Sequence, residues 1–390
     1  MKNVNSKRLV GSILILIFLG VSGFLMVMNY KINQLSAMTS LEMIAYTNAG
    51  RDDSVTSIGI ISGDKVTMMV YGKDGKLMDD FSTVYEIGSL TKTFTGALLC
   101  KAQSEGRINL NDPIDRHLEL ESDISYPTIK SLATHTSGYK NYYLNFQMIR
   151  NKLSGNPNDY YGIGTQIQQT EMTKVDKPGK FKYSNFGIGV LGTVLSEIYK
   201  KPFDELMNSF IEKDLGLKNT RLAQVDAQHE GYWKWKSDDV YLASGGILST
   251  IEDMTAYLRL QMSDTFACLE QGQSVYHEVE NRNKQLEKMN IRTDAVGITW
   301  MIDEMNGFCW HNGGTTAFNS YIAFDTNSNI GVVILSNASP KYRIPATVIG
   351  PKLMMEQRTL ARESYPHISK GMLEAHLSPD DMHHNERLTP

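Results

Sequence analysis

The spacing of apolar and polar positions changes several times along the chain, and each change marks an element. Val55–Ile61 and Lys65–Tyr71 are β-rich runs parted by Ser62-Gly63-Asp64, which predicts a hairpin. From Leu90 the period lengthens. Leu90, Phe94, Ala97 and Leu98 recur at helical spacing, so a helix is expected from near Ser89 to Glu105, stopping at Gly106. Residues 107–245 read as loops with helical pieces, chiefly Phe186–Tyr199 and Phe203–Lys213, the latter opened by Pro202. Ser249-x-x-Glu252 predicts a capping box before a helix reaching about Met262. The β pattern then returns in Val296–Asp303, Phe308–His311, Phe318–Phe324 and Ile330–Leu335, and Ile344–Glu356 reads as a closing helix. Strands at both ends with helices between them imply one sheet assembled from the two ends, with a helical region inserted beside it. The fold class expected is α/β (α+β), mainly antiparallel.

One stretch departs from all of these patterns. Leu9–Met28 holds twenty residues without a charge, enough for a helix of about 30 Å, the thickness of a bilayer's hydrocarbon core. Lys2, Lys7 and Arg8 precede it and only Lys31 follows closely, so the positive-inside rule places residues 1–8 in the cytoplasm and the rest outside. A cleaved secretory signal is the competing reading, but its apolar core is normally about 7–15 residues. The reading favoured is a transmembrane anchor at 9–28, followed by a stalk or first short helix over 29–53. Either reading exports the domain, and the expected localisation is the cell membrane, single-pass.

Composition adds mostly exclusions. With 21% charged residues and a formal net charge of −4, the chain has no basic surface for a nucleic-acid partner. Cys100, Cys268 and Cys309 are too few for a disulfide framework. No CxxC or HExxH occurs, so neither a metal nor another cofactor is expected.

The chemistry is carried by Ser89-Leu90-Thr91-Lys92. A serine hydroxyl is a poor nucleophile until something takes its proton. Here the serine opens a helix and the lysine lies one turn later on the same face, within reach as a neutral amine if burial lowers its pKa. Backbone N–H groups at that helix start also suit an oxyanion. The pattern alone is weak, since Ser62–Lys65 and Ser137–Lys140 repeat it. Those serines sit in a hairpin turn and a glycine-containing loop, where no helix puts the lysine on the same face. Tyr-x-Asn likewise begins at Tyr46, Tyr139, Tyr143 and Tyr183.

Six blocks in order then resemble the penicillin-recognising serine hydrolases, in the branch of class C β-lactamases, DD-carboxypeptidases and related esterases. They are FSTVYEIGSLTKTFTGALL, SLATHTSGY, PGKFKYSNFGIGVLG, YLASGGILSTIEDMTAYL, HNGGTTAFNSYIAF and IGVVILSNAS. The resemblance runs from about Val55 to Leu335 and implies one domain over 54–360, with 361–390 a polar tail. It implies that Ser89 is acylated, with Lys92 and Tyr183 as its catalytic partners; Tyr183 would relay a proton as phenolate or through Lys92. Asn185 would contact a substrate amide. His311-Asn312-Gly313 stands where the family has Lys-Thr-Gly, and the backbone N–H groups of Ser89 and Gly314 would hold the oxyanion. His311, Gly313 and Gly314 thus join Asn185 on the substrate side.

Histidine in place of lysine is a departure with consequences. Its unperturbed pKa of about 6.5 leaves it mostly neutral at pH 7, which favours substrates without an obligatory carboxylate. The implied function is an extracytoplasmic acyl-enzyme hydrolase. A DD-carboxypeptidase or endopeptidase on D-alanyl cell-envelope peptides ranks first, D-alanyl esters of teichoic acids second, and β-lactams third as ligands or substrates. A binding or sensor protein retaining the fold is the non-enzymatic alternative. His135 in the SLATHTSGY block reads as a loop-holding residue rather than a chemical one. Tyr139, Tyr142, Tyr143, Tyr160 and Tyr161, with Trp233 and Trp235, fit either sugar stacking or packing. His376, His383 and His384 fall in the polar tail.

Overall fold

The computed structural model describes residues 32–364, apart from 122, 144–145, 154–163, 224–230, 237, 264–266 and 281. The apolar segment 9–28, Tyr160, Tyr161 and most of the tail therefore lie outside the described residues. Among the described residues no helix is long and apolar enough to cross a membrane.

Among the described residues, twelve strands form two sheets. In chain order they are β1 (Thr56–Ser62), β2 (Lys65–Tyr71), β3 (Leu77–Met78), β4 (Tyr85–Glu86), β5 (Arg221–Leu222), β6 (Ile247–Ser249), β7 (His277–Glu278), β8 (Ala295–Val296), β9 (Met301–Asp303), β10 (Phe308–Gly314), β11 (Asn319–Asp325) and β12 (Ile330–Ser336). Nine of them build the main sheet in the order β3-β2-β1-β12-β11-β10-β9-β8-β7. Strand β1 pairs antiparallel with β12, Thr56 opposite Ser336, so the two ends of the chain meet in mid-sheet as the patterning implied. Because β1, β11 and β12 are covered on both faces, they are almost wholly buried and read as apolar runs rather than alternations. A small sheet, β4-β6-β5, lies beside the nucleophile segment.

Five helices frame the site and the core: α1 (Ser40–Asn48), α2 (Thr91–Ser104), α3 (Asn185–Tyr199), α4 (Ile251–Gln261) and α5 (Ala346–Ser364). One apolar cluster joins α2, α3 and α4 to one face of the sheet through Phe94, Phe186, Leu191, Tyr257 and Ile322. A second packs α1 and α5 against the other face through Met43, Ile44, Ile334 and Leu353.

Several expectations are corrected. Of the two readings of 29–53, a stalk or a first short helix, part of the stretch takes the second, the docked helix α1. Thr39 caps it in a reciprocal box with Glu42, and the Ser40 hydroxyl donates to Glu356 of α5 at 2.5 Å. Its apolar side, Met43 and Ile44, is buried. The run Val296–Asp303 is two strands rather than one, because the chain turns at Gly297–Trp300. There Thr299 has φ +62°, and the amides of Ile298 and Thr299 bond to Gly272 and Ala133 instead of a strand. Thr250, not Ser249, caps α4; the Ser249 hydroxyl is engaged with Thr220 at the end of β6. Phe203–Lys213 is α-helical only to Ser209 and then widens into a π-turn over Phe210–Asp214. The closing helix α5 passes Glu356 and runs to Ser364.

Candidate active site

Ser89 sits in a 3-10 turn, Gly88–Leu90, that feeds directly into α2. This tight entry depends on glycine. Gly88 has φ +52°, and a Cβ there would lie 2.6 Å from the backbone nitrogen of Gly314. On the facing strand, a Cβ on Gly313 would lie 2.0 Å from the Ile87 carbonyl oxygen. The Ser320 hydroxyl donates to that same carbonyl at 2.8 Å. Two glycines on β10 and one before the serine thus bring the nucleophile turn against the end of the main sheet.

Lys92, the second residue of α2 and one turn after Ser89, is wholly buried. Its Nζ lies 2.9 Å from Ser89 Oγ, 2.5 Å from Asn185 Oδ1 and 2.7 Å from the Ser244 carbonyl oxygen. The last two can only accept, so they take the two hydrogens of a neutral amine. In that neutral form its one lone pair would be free to accept the Ser89 proton. Burial holds the Lys92 ammonium well below its ordinary range, and no carboxylate is among the causes that shift it. Desolvation favours the neutral form, which these three contacts accommodate.

Asn185 begins α3, just after its cap Ser184, whose hydroxyl accepts from the Gly187 amide at 2.8 Å. Its amide group is aimed by Asn141, whose Oδ1 accepts from Asn185 Nδ2 at 2.6 Å and from its backbone N–H at 3.1 Å. That fixes the Asn185 oxygen on Lys92. Tyr183 is half-buried in front of α3 with Lys92 Nζ 5.0 Å from its ring centre. Burial pushes its phenol far up, partly offset by a hydrogen bond with Ser89, so the resting side chain is the phenol.

His311 lies on β10 opposite Ile322, with no exposed surface. Its Nδ1 donates to the Asn312 carbonyl at 2.7 Å, and Nε2 is buried without a partner. Desolvation, the largest cause, pushes its pKa down to about 3, and a protonated Lys92 would push it the same way. It is therefore a neutral group at every physiological pH. His135 holds its loop as expected: it has φ +58°, its carbonyl accepts from Lys182, and its Nδ1 accepts from the Ser184 amide. Its ring also lies tilted against Tyr183, ring centres 4.5 Å apart.

The structure thus brings Ser89, Lys92, Tyr183, Asn185, His311, Gly313 and Gly314 to one place. A cleft there is lined by Ser89, Asn185, Gly314, Tyr142, Trp233 and Trp235 among others. Of the aromatic residues left open between stacking and packing, Tyr139 and Tyr143 are buried, their hydroxyls donating to the Met172 and Lys174 carbonyls. Tyr142, Trp233 and Trp235 face the cleft. Asn141 and the Ser244 carbonyl escaped the sequence reading. Asn141 closes one of the repeated Tyr-x-Asn patterns, and nothing local marks it out from the others.

A family model described as Beta-lactamase matches residues 52–348. The chain belongs to the beta-lactamase family. It is 27% identical over 290 residues to Protein flp of Staphylococcus aureus (strain MW2), covering 69% of this chain and 56% of that protein. This chain thus spans little more than half the length of that relative. A beta-lactamase of Pseudomonas fluorescens is 26% identical over 335 residues, covering 74% of this chain and 89% of that one. The fold superposes on beta-lactamase/D-alanine carboxypeptidase from Yersinia pestis with a TM-score of 0.64 at 21% identity, over 84% of this chain and 98% of that chain. Members of the beta-lactamase family are serine acyl-transfer hydrolases, and the neutral lysine on Ser89 is the arrangement such chemistry needs.

Proposed function

We propose that this chain is an extracytoplasmic serine hydrolase that forms an acyl-enzyme on Ser89 with D-alanyl-containing cell-envelope substrates, D-alanyl esters ahead of peptides ending in a free carboxylate. The observation that carries the reading is the Lys92 amino group, buried where desolvation favours its neutral form, with Nζ 2.9 Å from Ser89 Oγ. In the forward step Ser89 Oγ bonds to the substrate carbonyl carbon and its proton passes to Lys92 Nζ. The carbonyl oxygen becomes an oxyanion between the N–H groups of Ser89 and Gly314. The Tyr183 phenol gives its proton to the leaving oxygen and is refilled from Lys92, after which water cleaves the ester. A phenol held far above its usual pKa supports this relay over a resting phenolate.

Sequence reasoning ranks D-alanyl peptides first; the buried, neutral His311 reverses that order. A terminal carboxylate needs a cation, and the family's lysine is replaced by a group that stays uncharged down to about pH 3. An ester of D-alanine carries no carboxylate on its acyl part. The uncharged segment 9–28, with its basic N-terminal flank, supports membrane anchorage and export.

Intact-mass spectrometry and turnover on a D-alanyl nitrophenyl ester and a penicillin, with Ser89→Ala as control, test the reading. Ester turnover lost in the variant is expected. A lasting penicillin adduct without ester turnover would return the peptidase reading to first place, and neither activity would leave the non-catalytic binder.

A further inference from the structure

Glu86 ends β4 three residues before Ser89, and only 2% of its surface is exposed. One carboxyl oxygen accepts the Trp233 backbone N–H at 2.7 Å, and the Thr315 hydroxyl donates to the same carboxyl. The other oxygen, Oε2, is buried with no partner. An ionised carboxyl with one buried, unpartnered oxygen costs free energy, which protonation reduces by removing the charge and release to water removes. Its position gives that cost a consequence. The Trp233 indole donates to Thr316 Oγ1 at 2.7 Å, the Tyr232 hydroxyl donates to the Val84 carbonyl at 2.5 Å, and the Tyr232 ring packs 4.8 Å from Phe318. Residues 232–233 therefore bridge the strand that leads to the nucleophile and the turn that follows Gly314. Trp233 also lines the cleft beside Ser89.

We propose that Glu86 is a positioning residue: protonated, it latches the Tyr232–Trp233 wall over Ser89, and on losing its proton it frees that wall to open. The proposal rests on the reading that this cleft is the acyl site. The groups around the carboxyl offer it no counter-charge. Across the small sheet it faces Leu248, with Ser249 next in β6. The turn contributes Thr315, and the wall contributes Tyr232. Arg221 stands one strand further, opposite the same Leu248, and its field falls on Tyr232. Lys234 and Lys236, in the wall segment, are exposed. Asp80 acts on Tyr85, the residue before Glu86.

Desolvation raises the Glu86 carboxyl to about 7 in the latched state, against about 4.3 for a carboxyl in water. The latched state therefore holds a proton that the open state gives up. Latching is strongest below the solvent pKa, weakens about tenfold per pH unit between the two values, and changes no further above about 7.

The test is acrylamide quenching of tryptophan fluorescence in the full chain from pH 4.5 to 8, with Trp233→Phe subtracted to isolate Trp233. The Trp233 quenching constant should rise at least about twofold as pH increases through that window and stay flat in Glu86→Gln. A pH-independent constant in the native chain, or an equal rise in Glu86→Gln, overturns the proposal. If Glu86→Gln does not fold, Thr316→Val serves, because a wall with one bond removed must open at lower pH; an unchanged midpoint overturns the latch. The readout needs no substrate. Flat quenching with intact ester turnover rejects the latch alone, and lost turnover with pH-dependent quenching rejects the hydrolase reading alone.

Discussion

Replacing Gly88 by alanine tests whether close backbone approach builds the oxyanion site. The new Cβ would stand 2.6 Å from the Gly314 nitrogen and 3.0 Å from its carbon and oxygen, all main-chain atoms of β10, and the backbone has φ +52°. A left-handed conformation costs alanine about 1–2 kcal/mol. Overlap with packed atoms adds about 1–3 kcal/mol. At about 2 °C per kcal/mol for a domain of this size, the melting temperature should fall roughly 4 to 10 °C. The larger effect is on catalysis. Relief of the clash moves the Gly314 N–H away from the Ser89 N–H, and losing one oxyanion donor lowers kcat by about 10²–10³. Gly63 is the control: it has φ +60° in the β1–β2 turn with nothing within 4 Å of an added Cβ. Gly63→Ala should pay the conformational cost while leaving ester turnover as it was. The assay is initial-rate hydrolysis of a nitrophenyl ester below both unfolding transitions, alongside calorimetry. A Gly88→Ala enzyme with kcat within about threefold of native would refute the reasoning, because a loss of about 10²–10³ is what the missing donor requires.

Other outcomes follow from the same geometry. Lys92→Arg keeps a permanent proton beside Ser89, so acylation should drop by about 10³ or more in single-turnover experiments; a rate close to native would mean that Lys92 is not the proton acceptor. In the native chain kcat/KM should fall on acidification as the buried Lys92 amine takes up a proton, an effect that a Tyr183→Phe enzyme with residual activity should share. Asn141→Ala frees the Asn185 amide to turn its oxygen from Lys92, and should lower kcat about 5- to 100-fold with little change in melting temperature. His311 is held neutral down to about 3 in the folded state, whereas the unfolded chain protonates it near 6.5. Its stability contribution is therefore complete above about 6.5 and is lost at about 1.4 kcal/mol per pH unit as pH falls toward 3. Urea midpoints at pH 4 and pH 7 should differ less in His311→Asn than in native protein; equal differences would place the acid sensitivity elsewhere.

Most of the fold was legible because its signals are local. The β1–β2 hairpin, the helix after Ser89 and the strands of β10 to β12 each carry their own period, and period depends only on neighbours in the chain. Boundaries slipped where distant groups claimed the backbone. Residues 297–300 look like a continuous strand, yet the Thr299 amide bonds to Ala133 and the Ile298 amide to Gly272. Helix α1 could not be told from a stalk because its apolar side is narrow and acquires meaning only against α5.

The same division holds in the site. Ser89 and Lys92 belong together by helix geometry alone, so the sequence by itself determined the nucleophile and its partner. That Lys92 is uncharged was decided only by tertiary structure. It needs burial among residues from three regions, the Asn185 oxygen turned by Asn141, and a carbonyl from Ser244, whose separation along the chain no period records. His311 follows the same rule: its identity was plain in the sequence, but its neutrality comes from desolvation, which exists only once β10 has closed against α2.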